Sequence, residues 1–123
     1  MNALLKAKSA YSSASTPTRT SKNLEYDVIA RITRRMIAAA NKGRGGFAEL
    51  AEVLHDNRRM WSLFEADVLR DENQLPAGLK ENLVYLAAFT KEHTSKVMSR
   101  KETVRPLVEI NTAILRGLRS GAS

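Results

Sequence analysis

The chain of 123 residues contains no cysteine, which excludes a disulfide framework, a thiolate metal site and a cysteine nucleophile, and fits a reducing compartment. It has no apolar run near the roughly 20 residues that a membrane span needs, so no membrane partner is expected. Its first ten residues offer only Leu4 and Leu5 as an apolar patch, with Lys6 and Lys8 downstream, the reverse of a secretory leader. A cytoplasmic location is the expectation. Acidic residues are almost missing from the first third. Residues 1–46 hold nine Lys and Arg against Glu25 and Asp27, whereas residues 47–123 hold eleven of each sign, so the whole formal excess of +7 lies in the N-terminal part. Aromatics are few, at one Trp, three Tyr and three Phe. Only Tyr11 and Tyr26 lie near the basic residues, which gives little support to base stacking of a single strand.

No segment shows the two-residue alternation of a strand, and four show helical periodicity. The expected fold is all-α, a small antiparallel bundle of about four main helices with a flexible or short-helical N-terminal arm over residues 1–20 and a single helical domain over residues 21–123. The arm is rich in Ser, Thr and Ala and carries Pro17 and Tyr11. A first helix is predicted from Ser21–Asn23 to about Asn41, with Leu24, Val28, Ile32, Met36 and Ala39 facing inward. Gly43, Gly45 and Gly46 end it and permit a sharp reversal. A second runs from Phe47 to about Leu69. Pro76 is placed in the first turn of a third, whose inward positions are Leu79, Leu83, Leu86, His93 and Val97 with Phe89 on the flank. A fourth runs from about Thr103 to Arg119, with Pro106 in its first turn and a stripe of Val104, Leu107, Asn111, Ile114 and Leu118.

Enzyme chemistry fails on counting. Glu52-x-x-His55 has the spacing used by carboxylate-bridged metals in helical bundles, but a second copy is required, and His93 has Thr90 three residues before it. Asp67, Asp71 and Glu72 lack the spacing and turn glycine of a calcium loop. The Gly43–Gly46 segment follows a helix and lacks the lysine and hydroxyl of a phosphate loop. No catalytic residue, metal or cofactor is expected.

Two asparagines interrupt otherwise apolar stripes. On the second helix Leu50, Val53, Leu54, Asn57, Met60, Trp61, Phe64 and Val68 share one face, and on the fourth Asn111 sits among aliphatics. A buried amide without partners costs about 1–3 kcal/mol, so each needs a reason. A hydrogen bond between the two helices, or from each amide to a loop carbonyl, would fix helix pairing. The alternative is that one or both face a groove where a partner docks.

Tyr11, Thr16-Pro17, Leu24-Glu25, Asn57-x-x-Met60-Trp61, Asp67, Asn73-x-Leu75-Pro76 and Pro106-Leu107-x-x-Ile110-Asn111-x-x-Ile114-x-x-Gly117-Leu118, in this order over nearly the whole chain, resemble the flagellar biosynthesis regulator family FlaF of alphaproteobacteria. Met60 stands where leucine is more usual, and the Ser99–Thr103 link is more charged than the family's hinge. The resemblance implies a small cytoplasmic helical regulator of flagellum biosynthesis. It would act on flagellin as a chaperone and as a secretion and translation regulator, in concert with a second regulator, FlbT, that acts on flagellin messenger RNA. Flagellin's terminal amphipathic helices are the implied partner, captured in a groove. Candidate partner-binding or specificity residues are Asn57, Trp61, Phe64, Tyr85, Asn111 and Leu118. The alternative function is a basic RNA-binding regulator of flagellin mRNA, with Arg31, Arg34, Arg35, Lys42 and Arg44 contacting RNA or an acidic surface.

Overall fold

The computed structural model describes the backbone of residues 16–121 and the side chains of residues 25–118. Four helices follow in chain order: α1 (Thr16–Asn41), α2 (Phe47–Val68), α3 (Ala77–Met98) and α4 (Arg105–Gly121), with a 3-10 turn at Gly43–Gly46 between the first two. No strand occurs among the described residues. No described helix is long and apolar enough to cross a membrane. The predicted arm over residues 1–20 overlaps α1, which starts at Thr16 rather than at Ser21–Asn23. Pro17 is compatible with that start, because the first turn of a helix has no intrahelical use for the N–H that proline lacks. Tyr11 lies outside the described residues.

The α1–α2 reversal depends on two glycines for different reasons. Gly43 has φ +64°, the left-handed region in which a side chain is strained. Gly46 has ordinary φ, but a Cβ there would strike the Ala39 carbonyl oxygen and stand 2.7 Å from Lys42 Cβ. Beyond the turn, Glu49 sits in the first turn of α2, where the helix dipole favours an anion, and accepts a 2.7 Å hydrogen bond from Lys42 Nζ.

At the other end of α2, Asn73 is the fastening. Its Nδ2 donates to Asp67 O at 3.2 Å, and its Oδ1 accepts from Leu75 N–H at 3.0 Å in an Asx turn. Pro76 caps α3 with φ −57° and ψ 145°. The third helix then presents Leu83, Ala87, Thr90, His93, Thr94 and Val97 as its buried face, with Leu79 and Leu86 only half-buried. Leu79 packs on the core as predicted, whereas Leu86 lines the surface cleft between α3 and α4, so the prediction of Leu86 as an inward residue is corrected. Ala87 and Thr90 are fully buried, so small side chains occupy part of this face and fit at the contact outweighs side-chain size. The hydroxyl of Thr94 is satisfied by the Thr90 carbonyl at 2.6 Å. From α2, Arg58 Nη2 donates to Lys91 O at 2.6 Å and to Ser95 Oγ at 2.8 Å, joining the pair.

The apolar core falls into two clusters. One joins Ile29, Val68, Leu75, Leu83 and Leu118, with Phe64 and Met60 packed on it. The other joins Ile32, Met36, Val53, Leu54, Val97 and Leu107. Full burial of each such side chain contributes about 1.5–3 kcal/mol. On α2 and α4 a buried asparagine separates the positions that feed the two clusters, Asn57 and Asn111, and on α1 the buried polar residue is Thr33.

The α3–α4 link carries a non-glycine residue in a glycine position. Lys101 N–H donates to Lys96 O and Arg100 N–H to Val97 O, both at 2.9 Å, which is the Schellman pattern that closes a helix. Arg100 occupies the left-handed position with φ 62°. Its guanidinium lies 4.2 Å from the centroid of the Phe47 ring, a cation–π contact that offsets part of the backbone strain.

Candidate functional site

Three helices meet at one hydrogen-bonded node. Asn111 Nδ2 donates to Asn57 Oδ1 at 2.9 Å and to Thr33 Oγ1 at 3.1 Å, and Asn111 Oδ1 accepts from Trp61 Nε1 at 2.9 Å. Thr33 Oγ1 donates to Ile29 O at 2.7 Å. The proton directions are forced. An indole N–H can only donate, so the oxygen of Asn111 faces Trp61, and a backbone carbonyl can only accept, so the Thr33 hydroxyl spends its proton there. The Asn111 amide must then donate to both Thr33 and Asn57. Asn57 Nδ2 is buried without a hydrogen-bond partner among the described residues, which makes Asn111 the hub and Asn57 the less satisfied end.

Four of the six candidate specificity residues are thus interior. Asn57 is 0 % exposed, Trp61 2 %, and Asn111 and Leu118 are equally closed to solvent. They cannot form a contact surface in this fold; they hold α1, α2 and α4 in register. Phe64 and Tyr85 are the two that reach the surface, and they do so at different places. The Trp61 and Phe64 rings pack at 5.4 Å with an interplanar angle of 59°, so the node supports Phe64 from behind.

Phe64 helps to floor an open groove of about 410 Å³ between α1 and α2. Val28, Ile29 and Ile32 form one wall, and Met60, Leu63 and Phe64 the other. Leu63 is 65 % exposed there. Glu25, Asp56 and Asp67 also line it against a single Arg59, an acidic margin in a chain with net charge +7. Asp56 is paired with Arg35 at 3.0 Å, and Asp67 with Arg70 at 3.5 Å. Tyr85, 68 % exposed, lies instead at a shallow cleft between α3 and α4, with Leu86, Phe89, Pro106 and Ile110.

The basic candidates are dispersed in role. Arg35 is tied to Asp56, and Lys42 to Glu49 at 2.7 Å. Arg31 and Arg34 are exposed, with no ion pair among the described residues, and Arg44 lines a separate cleft near Phe47 and Arg100. Glu52 and His55 are both exposed. His93 is buried, stacked on Phe89 at 5.3 Å, and its Nε2 donates to Thr103 O at 2.8 Å. Among the described residues no three His, Asp or Glu side chains gather as a metal site would require.

Thr33 and Leu63 were not legible as site residues in the sequence. Thr33 has the i+4 spacing from Ile29 that back-bonding hydroxyls use, which is a weak signal. Leu63 lies one helical step off the stripe that contains Trp61 and Phe64.

The fold and site define a small all-α protein with an amide-pinned core and an apolar groove over it. The family model described as flagellar protein FlaF matches residues 7–118, and the chain belongs to the FlaF family. No curated protein and no solved structure matches the chain.

Proposed function

We propose that this flagellar protein binds flagellin, covering the apolar face of its terminal amphipathic helices in the α1–α2 groove so that they stay unpolymerised until export. The observation that carries the reading is the groove itself: Val28, Ile32, Leu63 and Phe64 line one channel, with Leu63 largely in water. An amphipathic helix needs such an apolar channel for residues at i, i+3, i+4 and i+7. A large aromatic backed by packed core, as Phe64 is by Trp61, has the character of an interface anchor. The regulatory effect on flagellin secretion and translation follows from holding flagellin monomers, in concert with FlbT.

The test is size-exclusion chromatography of the purified chain with flagellin, followed by the Leu63→Glu variant. Co-elution of the parent pair and its loss in a variant of unchanged circular dichroism is the expected result. Separate elution of the parent pair would sink the proposal. The RNA-binding reading retains one favourable observation, the exposed Arg31 and Arg34 on α1, which have no ion pair among the described residues. It requires flagellin-message binding that an Arg31, Arg34 and Arg35 to Ala variant loses at low salt.

A further inference from the structure

The α1–α2 turn and the α3–α4 link lie side by side, and between them is a second cleft of about 410 Å³ that the flagellin reading does not use. Its floor is apolar, from Phe47, Leu50, Val97 and Val104, while Arg44 and Arg100 line it as cations. Arg100 is held on the Phe47 ring at 4.2 Å by a backbone in the left-handed region, a conformation that costs free energy for a residue with a side chain. The Arg44 side chain is exposed and has no hydrogen bond or ion pair among the described residues. Thr103, also in the lining, is fixed by the His93 hydrogen bond to its carbonyl, and its Oγ1 accepts from Arg105 N–H at 3.4 Å, leaving its hydroxyl proton for a ligand.

We propose that this cleft recognises the free carboxylate end of a peptide whose last side chain is apolar. The apolar side chain enters the floor against Leu50, Val97 and Val104, beside the Phe47 ring that Arg100 covers. The carboxylate meets the guanidinium groups of Arg44 and Arg100, whose planar forks match its two oxygens. Glu102, the one acid in the lining, accepts the peptide's final backbone N–H and disfavours a dianion such as a phosphate. The charge pattern is therefore that of a chain terminus, which has one anion and one donor close together. The site is separate from the α1–α2 groove, so either reading can fail alone.

Titration calorimetry with the full chain tests it, using an acetylated glycine–serine peptide ending in leucine, as the free acid and as the C-terminal amide. The free acid is expected to bind at least about tenfold more tightly than the amide, since a charge-assisted contact is lost. The Arg44→Gln variant, at an exposed position with no side-chain partner among the described residues, should lower free-acid affinity by about tenfold with circular dichroism unchanged. Arg100→Lys keeps the charge but loses the planar fork and should also weaken the free acid. Equal binding of acid and amide, no binding of the acid up to millimolar concentration, or an Arg44→Gln variant that binds like the parent would each overturn the assignment.

Discussion

The α1–α2 pair buries a small polar node within its apolar core and leaves an apolar groove open to water. On its inner side Thr33, Asn57 and Trp61 converge on Asn111 of α4, and Asn57 has no exposure at all. On its outer side Leu63 stands 65 % exposed above Met60 and Phe64. Ordinary burial energetics would exchange these positions, because an apolar core would avoid the desolvation of the amides and a polar surface would avoid wetting the leucine. The difference teaches that the two faces answer to different demands. The inner face specifies which helices pair and in what register, since one misplaced turn leaves several amide and indole groups without partners. The outer face carries no such constraint, and its apolar exposure is consistent with an occupant from outside.

The largest effect expected is for Trp61→Ala, which removes the side chain that joins both faces. It should cost about 3–5 kcal/mol by chemical denaturation, and a loss below that range would mean that Phe64 and Met60 collapse into the space. Next, Asn111→Leu should cost about 1–3 kcal/mol, because Trp61 Nε1 is left with no acceptor. Asn57→Leu should cost less, under about 1 kcal/mol, since it also removes a donor that has no partner in the parent. Equal losses for the two asparagines would break the assignment of Asn111 as the hub. On the outer face Leu63→Glu should change stability by no more than about 0.5 kcal/mol while abolishing co-elution with flagellin. A strongly destabilised Leu63→Glu would show that this face belongs to the core.

The smallest effect concerns the α2–α3 loop, away from both faces. The Glu72 carboxyl is held below the usual carboxylate range, first by its own backbone hydrogen bond and then by Arg70. A carboxylate lowered by folding stabilises above its unfolded pKa, and that contribution disappears as pH falls through the lowered value. The parent should therefore exceed Glu72→Gln slightly near neutral pH, with the two unfolding curves converging in acid. Both side chains are well exposed, so solvent screening keeps the difference small. A gap that widens in acid would have the wrong sign.

Much of this was readable in the residue order. The second helix was expected from Phe47 to about Leu69 and ends at Val68, and the stripe of Leu107, Asn111 and Leu118 is buried on α4. Both asparagines announced themselves by interrupting apolar periodicity, which is a local property of the chain. The start of α1 was not legible, because the Ser- and Thr-rich composition before Ser21 reads equally as a loop or as helix support. On α3 hydrophobic size points inward at Leu86, but the buried position beside it is the small Ala87, because fit at the helix contact decides which residue is enclosed.

The sequence by itself determined the helical class, the two polar interruptions, the glycine reversal and the family pattern, since each depends on residues a few positions apart or on linear order. Only the tertiary structure decided that Asn111 is the hub and that Trp61 points inward. It also decided that Thr33 joins from a third helix and that Leu63 is left in water. Those facts rest on contacts between residues 50 to 78 positions apart. Hydrogen-bond direction and surface exposure are set by which helices pack together, and no local pattern encodes that choice.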